Sequence, residues 1–216
     1  MSAPPGAFFT FEGPDGSGKT TQLRRLAERL AAAGHEVVCA QEPGGTRVGR
    51  EIRKLLLDAA STDLRPMPEL LLYFASRAQN VEEVILPALE VGRIVVADRF
   101  TDASTAYQGH GRGLGVETVQ ALERIACRGL RPDLTFLIDL DVETGVRRAL
   151  KRHDPAAADE TRFEREHLEF HRRVREGYLA IHRQEPERVR LIDGSRAPEA
   201  IADEIWSLAE SFLASR

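Results

Sequence analysis

A chain of 216 residues, of which 42% are hydrophobic and 30% charged, has the length and composition of one globular α/β domain with a sizeable core. The formal net charge of −4 gives no reason to expect nonspecific binding to nucleic acid or to a membrane surface. No segment approaches the roughly 18 apolar residues of a membrane span, so we expect no membrane-spanning helix.

The first seven residues carry neither the basic start nor the apolar stretch of a signal peptide, and we expect a frayed lead-in to a cytoplasmic protein. Cys39 and Cys127 are too few for a disulfide scaffold or a metal site. We expect both cysteines to be small, buried apolar side chains.

Five runs of β-branched and aromatic residues predict buried parallel strands. They cover residues 7–12, 36–41, 93–98, 134–140 and 188–193. Helical spacing of apolar residues predicts the segments between them, at 20–33, 46–60, 68–90, 116–128, 142–152, 163–183 and 198–213. Within 68–90 we expect Pro87 to break or kink the helix. This alternation predicts a five-stranded parallel sheet with helices on both faces.

The first strand leads into a glycine-rich loop that ends in Lys-Thr and opens a helix. Gly13, Gly18, Lys19 and Thr20 satisfy the spacing G-x-x-x-x-G-K-S/T of the phosphate-binding P-loop. Its backbone N–H groups can turn toward phosphate oxygens, Lys19 can reach the outer phosphates, and the hydroxyl of Thr20 suits Mg²⁺. We therefore predict a P-loop NTPase fold and an ATP site comprising Gly13, Asp15, Gly16, Ser17, Gly18, Lys19 and Thr20.

One residue of this loop is unexpected. Asp15 places a carboxylate where a polyanion is to bind, which opposes phosphate binding electrostatically. It is either a turn residue that faces solvent or the acceptor for a hydroxyl group of a second ligand.

Polar and glycine-rich residues also follow the second and third strands. Glu42-Pro43-Gly44-Gly45 follows the second strand and Asp98-Arg99 the third. Ligands of parallel sheets bind beyond the carboxyl ends of the strands, so the sequence predicts an active site at this edge.

The chain resembles the thymidylate kinase family in five segments that occur in the family's order across nearly the whole length. These are the P-loop, Glu42-Pro43-Gly44-Gly45, Tyr73-Phe74-Ala75-Ser76-Arg77, Asp98-Arg99-Phe100 and Ser104-Thr105-Ala106-Tyr107-Gln108-Gly109. The resemblance implies a nucleoside monophosphate kinase that transfers the γ-phosphate of ATP to dTMP, giving dTDP for dTTP synthesis. It also implies Mg²⁺ as cofactor, a homodimer, and one P-loop kinase domain over residues 1–216.

The resemblance implies a role for each group near the phosphates. Lys19 and the loop amides would hold ATP, Thr20 would bind Mg²⁺ directly, and Asp98 would support Mg²⁺ through water. Arg99 would clamp the acceptor phosphate, and Asp15 would accept from the 3′-hydroxyl of dTMP. Without the resemblance, Asp98 would equally be a strand-end cap.

The implied dTMP site comprises Asp15, Glu42, Pro43, Arg53, Phe74, Arg77, Arg99, Ser104, Tyr107 and Gln108. Phe74 would stack on the base and Arg77 would donate to its O4. Gln108 and Ser104 would read the other edge of the pyrimidine, and Tyr107 would crowd the 2′ position of the sugar. Arg53 would add a contact to the monophosphate. From the residues alone, Phe74 could be helix core and Arg53 a solvated surface arginine.

In one branch of the family a basic residue follows the P-loop acid and reaches the transferred phosphate, but here Gly16 follows Asp15, so the loop supplies no such residue. The resemblance implies that a lid over residues of about 147–162 supplies it. Arg152 is the first candidate, with Arg148 and Arg162 behind it. The alternative is a charged surface loop.

Parts of the sequence suggest three other functions. Another P-loop kinase with a different monophosphate as acceptor is the nearest alternative. A GTPase switch would need an N-K-x-D motif, which the sequence lacks. A metal hydrolase could be suggested from His167 and His171, but the H-E-x-x-H order and a third ligand are missing, and we expect a charged helix surface there.

Overall fold

The computed structural model describes residues 6–151, 162–163 and 166–216. The strands are β1 (Phe8–Glu12), β2 (Val37–Gln41), β3 (Ile94–Asp98), β4 (Leu134–Asp139) and β5 (Val189–Asp193). The helices are α1 (Lys19–Ala32), α2 (Arg47–Leu57), α3 (Pro66–Asn80), α4 (Leu86–Glu90), α5 (Thr101–Ser104), α6 (Val116–Ala126), α7 (Val142–Leu150), α8 (Leu168–Gln184) and α9 (Pro198–Ala214). Two π-helical segments, Val81–Ile85 and Thr105–Gly111, join α3 to α4 and extend α5.

The five strands form one parallel sheet in the order β2-β3-β1-β4-β5, which confirms the predicted fold. Successive side chains of β1 point to opposite faces: Phe9 and Phe11 enter the core under α1 and α9, whereas Phe8 enters the core under α3 and α4. The carboxyl ends of β1, β3 and β2 are neighbours, with Phe11 paired to Asp98 and Asp98 to Gln41. The three segments predicted to form the site therefore meet at one edge.

Strand boundaries differ from the prediction by one residue at most, but several helices differ more. The helix predicted over 68–90 begins at Pro66 and contains the π-helical segment before Pro87. Pro87 does not break it: Ile85 and Leu86 before the proline keep helical backbone angles, and the N–H of Leu86 bonds to the carbonyl of Val81 in the π-helical pattern. The helix predicted from residue 163 begins at Leu168 instead.

The expectation that both cysteines are buried was wrong for Cys39. Cys127 is buried, but Cys39 is exposed because β2 is an edge strand with only part of its surface covered. No helix in the described part of the chain has both the length and the apolar character needed to cross a membrane.

Candidate active site

The loop after β1 folds back over its own lysine. The ammonium group of Lys19 donates to the carbonyl oxygens of Gly13 (3.0 Å) and Pro14 (2.8 Å), and its side chain is buried. Burial and the nearby Arg99 lower the pKa of Lys19 to about 8, although Asp15 and Asp98 oppose this. A cation is thus held beneath the loop, at the amino end of α1.

Position 16, directly after Asp15, has no room for a side chain. Its φ is +75°, and a Cβ atom there would lie 2.2 Å from the carbonyl oxygen of Gly145 in α7. Gly145 is confined in turn, since its own Cβ would lie 2.8 Å from the carbonyl oxygen of Asp15. The P-loop and α7 are therefore in backbone contact. A basic side chain that is to reach the transferred phosphate cannot come from position 16.

The carboxylate of Asp15 does not face solvent. It accepts from Arg99 Nη2 (2.7 Å) and from the hydroxyl of Tyr107 (2.8 Å), and Arg99 also donates to Tyr178 (2.8 Å). Burial alone would raise the pKa of Asp15, but Arg99 and Lys19 outweigh burial and lower this pKa to about 2. Arg99 adopts φ +70°, a strained value for a non-glycine residue that directs its guanidinium across the site.

Beneath Arg99 lies a carboxylate that the sequence analysis did not include. Glu12 is fully buried and accepts from the backbone N–H of Phe100 (2.7 Å) and from the hydroxyl of Tyr178 (2.8 Å). Burial raises the pKa of Glu12 to about 7, although Arg99 at 4.0 Å opposes this. As the last residue of a buried strand, it gave no signal that would distinguish it from strand core.

A hydroxyl and a carboxylate stand together beside the P-loop. Thr20 Oγ1 donates to Asp98 Oδ2 at 2.8 Å, so the first residues of α1 and the end of β3 meet. Both are hard oxygen ligands, the kind that Mg²⁺ prefers. In the described ranges, no group of three or more His, Cys, Asp or Glu could form a metal site from protein ligands alone. This donor set fits an ion that takes its remaining ligands from phosphate and water.

A buried ion pair holds the far side of the site. Arg77 is 1% exposed; its Nε donates to Glu42 (2.5 Å), and its two terminal nitrogens donate to Ser104 Oγ and to the carbonyl of Phe100 (both 2.9 Å). Burial raises the pKa of Glu42, with Arg77 opposing it. The peptide bond between Glu42 and Pro43 is cis.

Most of these side chains line one cleft of about 740 Å³, which runs from the P-loop to α3, and Glu12 and Tyr178 lie outside its lining. Of the predicted residues, the cleft is lined by Asp15, Gly16, Gly18, Lys19, Thr20, Glu42, Pro43, Arg53, Arg77, Asp98, Arg99, Ser104, Tyr107, Gln108 and Arg148. Three aromatic side chains, Tyr73, Tyr107 and Phe163, lie at its α3 end. The ring centroid of Phe163 is 5.6 Å from that of Tyr107 and 6.5 Å from that of Tyr73.

Comparison with known proteins agrees with this arrangement. A sequence model of the thymidylate kinase family matches residues 11–205. The thymidylate kinase of Pelobacter propionicus is 53% identical over 201 residues, which cover 93% of this chain and 92% of that protein. That of Citrifermentans bemidjiense is 50% identical and covers 97% of each.

The crystal structure of thymidylate kinase from Ehrlichia chaffeensis superimposes with a TM-score of 0.78 at 32% identity, covering 96% of this chain and 99% of that one. The chain belongs to the thymidylate kinase family. The predicted family and the enzyme class, an ATP-dependent kinase, are therefore confirmed.

Within this thymidylate kinase fold, Phe74 lies elsewhere than predicted. It is 4% exposed, packs in the core with Leu70 and Phe100, and receives the Arg77 guanidinium over its ring at 4.7 Å. Tyr73 lines the cleft instead. Tyr73 lies four positions and Phe74 three positions before Arg77, and both spacings share a helix face with it, so the sequence alone does not distinguish the two.

Other predicted residues also fall outside the cleft. Gly13 and Ser17 belong to the loop without lining the cleft. Arg162 donates to the carbonyls of Leu56 and Ser61 and pairs with Glu69, so its guanidinium is engaged away from the P-loop. Arg152 lies outside the described residues.

Some lining residues were not predicted. They are Thr21, Arg24, Gln41, Leu57, Tyr73, Ala103, Ala149, Lys151 and Phe163.

The expectation of a charged helix surface at His167 and His171 was wrong for His171, which is 3% exposed. Burial lowers the pKa of His171, although Asp15 opposes this.

Proposed function

We propose that this chain transfers the γ-phosphate of ATP to the 5′-phosphate of dTMP, giving dTDP. The observation that carries the proposal is the single cleft, which joins a P-loop at one end to an aromatic slot with Arg77 and Gln108 at the other. A cleft of this kind can hold two nucleotides with their phosphates facing each other. Arg99 and Asp15 lie between the two ends.

The chemistry asks mainly for alignment and charge neutralisation. The transferred phosphoryl group spreads negative charge over its oxygens, and the acceptor phosphate is already an anion at neutral pH, so no general base is required. Lys19 and the loop amides hold the outer phosphates of ATP. Arg99 binds the acceptor phosphate through two N–H groups at once, because its planar guanidinium can donate two parallel hydrogen bonds to phosphate oxygens.

Thr20 and Asp98 are the residues that would hold Mg²⁺, the first directly and the second through water. When bound, the ion neutralises phosphate charge and orients the reacting oxygens. The 2.8 Å contact between these two side chains supports the assignment.

Asp15 is proposed to accept from the 3′-hydroxyl of dTMP. Among the described residues each of its oxygens has one donor, and a carboxylate oxygen can take a second. Tyr107 stands beside it and is placed to crowd a 2′-hydroxyl, which favours deoxyribose. Arg53, which donates to the carbonyl of Pro43 (2.9 Å), is proposed to reach the monophosphate.

At the other end we assign the stacking role to Tyr73 rather than Phe74. Arg77 donates to O4, and Ser104 and Gln108 face the remaining edge of the base. The buried Glu42 holds Arg77 in place.

A lid over residues of about 147–162 is proposed to deliver the cation that Gly16 excludes. Arg148 and Lys151 line the cleft from α7 and its end. Arg152 remains our first candidate for the transferring phosphoryl, and Arg162 is withdrawn because of its contacts with Glu69.

The homodimer also remains a proposal. Leu55 on α2 and Leu71 on the adjacent α3 are each 49% exposed, and a partner subunit would cover such side chains. Sedimentation equilibrium would test the dimer, and a molecular mass equal to that of one chain would contradict it.

Because the proposed substrates are ATP and a deoxynucleotide, we propose that the protein acts in the cytoplasm.

The function is tested by following dTDP with ³¹P nuclear magnetic resonance in mixtures of enzyme, ATP and dTMP. We expect dTDP and ADP in equal amounts with Mg²⁺ and none after chelation. Hydrolysis of ATP to ADP without formation of dTDP would refute the proposal.

A further inference from the structure

Another buried carboxylate lies behind the α3 end of the cleft, where the base of dTMP is proposed to bind (the base end). Glu69, in the first turn of α3, is 0% exposed. Its carboxylate accepts from Gln108 Nε2 (2.9 Å) and from Arg112 Nη2 (3.2 Å), and it forms an ion pair with Arg162 Nη2 at 2.7 Å. A carboxamide and two guanidinium groups from distant parts of the chain therefore converge on one side chain.

The two arginines keep Glu69 from moving. Arg112 is held in addition by Glu166 (2.5 Å), and its guanidinium lies over the ring of Phe170 at 4.7 Å. Arg162 is held by the carbonyl oxygens of Leu56 (3.2 Å) and Ser61 (3.1 Å). Their charges offset the cost of burying a carboxylate.

The contact with Glu69 decides which way Gln108 faces. A carboxylate only accepts hydrogen bonds, so the amide nitrogen of Gln108 must point at Glu69. Gln108 also lines the cleft. Because its amide nitrogen is bound to Glu69, its oxygen is the amide atom left to accept from a ligand. The base end is thereby given an acceptor at a defined place.

We propose that Glu69 is a positioning residue that fixes the carboxamide of Gln108 and so makes the cleft select a pyrimidine with a hydrogen on N3. The inference rests on the proposed function. Thymine and uracil carry N3–H, which the oxygen of Gln108 can accept. Cytosine has a bare nitrogen there, so two lone pairs would face each other. If the partner of Gln108 were a neutral amide instead of a carboxylate, the carboxamide of Gln108 could rotate by about 180° and donate from its NH₂ group to N3 of cytosine.

The test compares Glu69→Gln with Glu166→Gln. Both changes remove a carboxylate bound to Arg112, but among the described residues the carboxylate that Gln108 donates to is Glu69, whereas Glu166 accepts from Arg112. Calorimetric titration measures the affinities for dTMP and dCMP. We expect Glu69→Gln to lower the dTMP/dCMP affinity ratio about 10-fold or more, with KM for dTMP raised and kcat within about 3-fold. Glu166→Gln should leave the ratio unchanged, and a fall equal to that in Glu69→Gln would overturn the proposal.

A double-mutant cycle separates positioning from stability. In a Gln108→Ala background, Glu69→Gln should change the ratio less than about 2-fold, because the carboxamide it positions is gone. A full 10-fold change in that background would overturn the proposal. If Glu69→Gln does not fold, Glu69→Asp serves instead, since the shorter side chain draws the carboxylate away from Gln108. An unchanged ratio in any folded Glu69 variant also overturns it.

The two proposals fail in different ways. A wild-type protein that makes no dTDP refutes the proposed function. A wild type that makes dTDP, with a Glu69→Gln variant of unchanged selectivity, refutes only the role of Glu69.

Discussion

The two ends of the cleft are built differently. At the phosphate end, the groups that face the ligand are backbone amides and side chains delivered by adjoining strand ends, as with Lys19 and Arg99. At the base end, Arg77 comes from α3 and Gln108 from the π-helical segment Thr105–Gly111. Each is oriented by a hydrogen bond to a buried carboxylate, Glu42 for Arg77 and Glu69 for Gln108. We infer that changes at the phosphate end act mainly on rate, and changes at the base end on affinity and selectivity.

The largest effect is expected from Arg152→Ala. Removing a cation from the transferring phosphoryl costs about 10³-fold or more in kcat, and KM for dTMP should change little. Arg147→Ala is the matched control, because Arg147 is exposed and donates to Thr144 outside the cleft. Steady-state kinetics decides it. An unaltered kcat would move the role to a neighbour such as Arg148.

Arg99→Met should come next, with kcat/KM for dTMP lower by about 10²–10³-fold, because the acceptor phosphate loses its paired donors. The control is Arg93→Met, since Arg93 is partly exposed and pairs with Glu36 away from the cleft. Initial rates over a range of dTMP concentrations measure the effect. A loss below about 5-fold would remove Arg99 from the site.

Adjacent aromatic residues sharpen the comparison at the base end. Tyr73→Ala should raise KM for dTMP about 10-fold or more with little change in melting temperature, because a stacked base is worth about 1–3 kcal/mol. Phe74→Ala should instead lower the free energy of unfolding by about 3–5 kcal/mol, because it opens a cavity in the core. Kinetics and urea unfolding measure both variants. The reverse pattern would restore Phe74 to the site.

Those two neighbours also show what the sequence could and could not predict. The P-loop, Asp98 and Arg99 were predictable because short motifs at strand ends dictate where backbone and charge must lie. Which residues of α3 point into the cleft depends on packing, so the sequence did not show that Phe74 lies in the core and Tyr73 in the cleft. Phe163 comes from a region predicted as helix, and Glu12 and Glu69 act through contacts with residues far away in sequence.

The stability of the folded protein should also change with pH. The pKa of Glu12 rises on folding from 4.5 to about 7, so the folded state favours its protonated form. The resulting stability is complete below pH 4.5 and is lost as pH rises through about 7, at up to about 1.4 kcal/mol per pH unit. Urea unfolding between pH 5 and 8 should therefore show wild type losing stability relative to Glu12→Gln as pH rises. The exposed Glu117→Gln should follow wild type, and parallel curves for all three proteins would contradict the account.

The central claim is that one cleft holds ATP at its P-loop and dTMP at its aromatic end. Its most direct test is the kcat/KM of the wild-type protein for dTMP, dUMP, dCMP, dGMP and AMP, measured as ADP release with ATP and Mg²⁺. The account predicts the highest value for dTMP and a much lower one for dCMP. A higher value for dCMP or for either purine nucleotide, or ADP release that does not depend on dTMP, would contradict it.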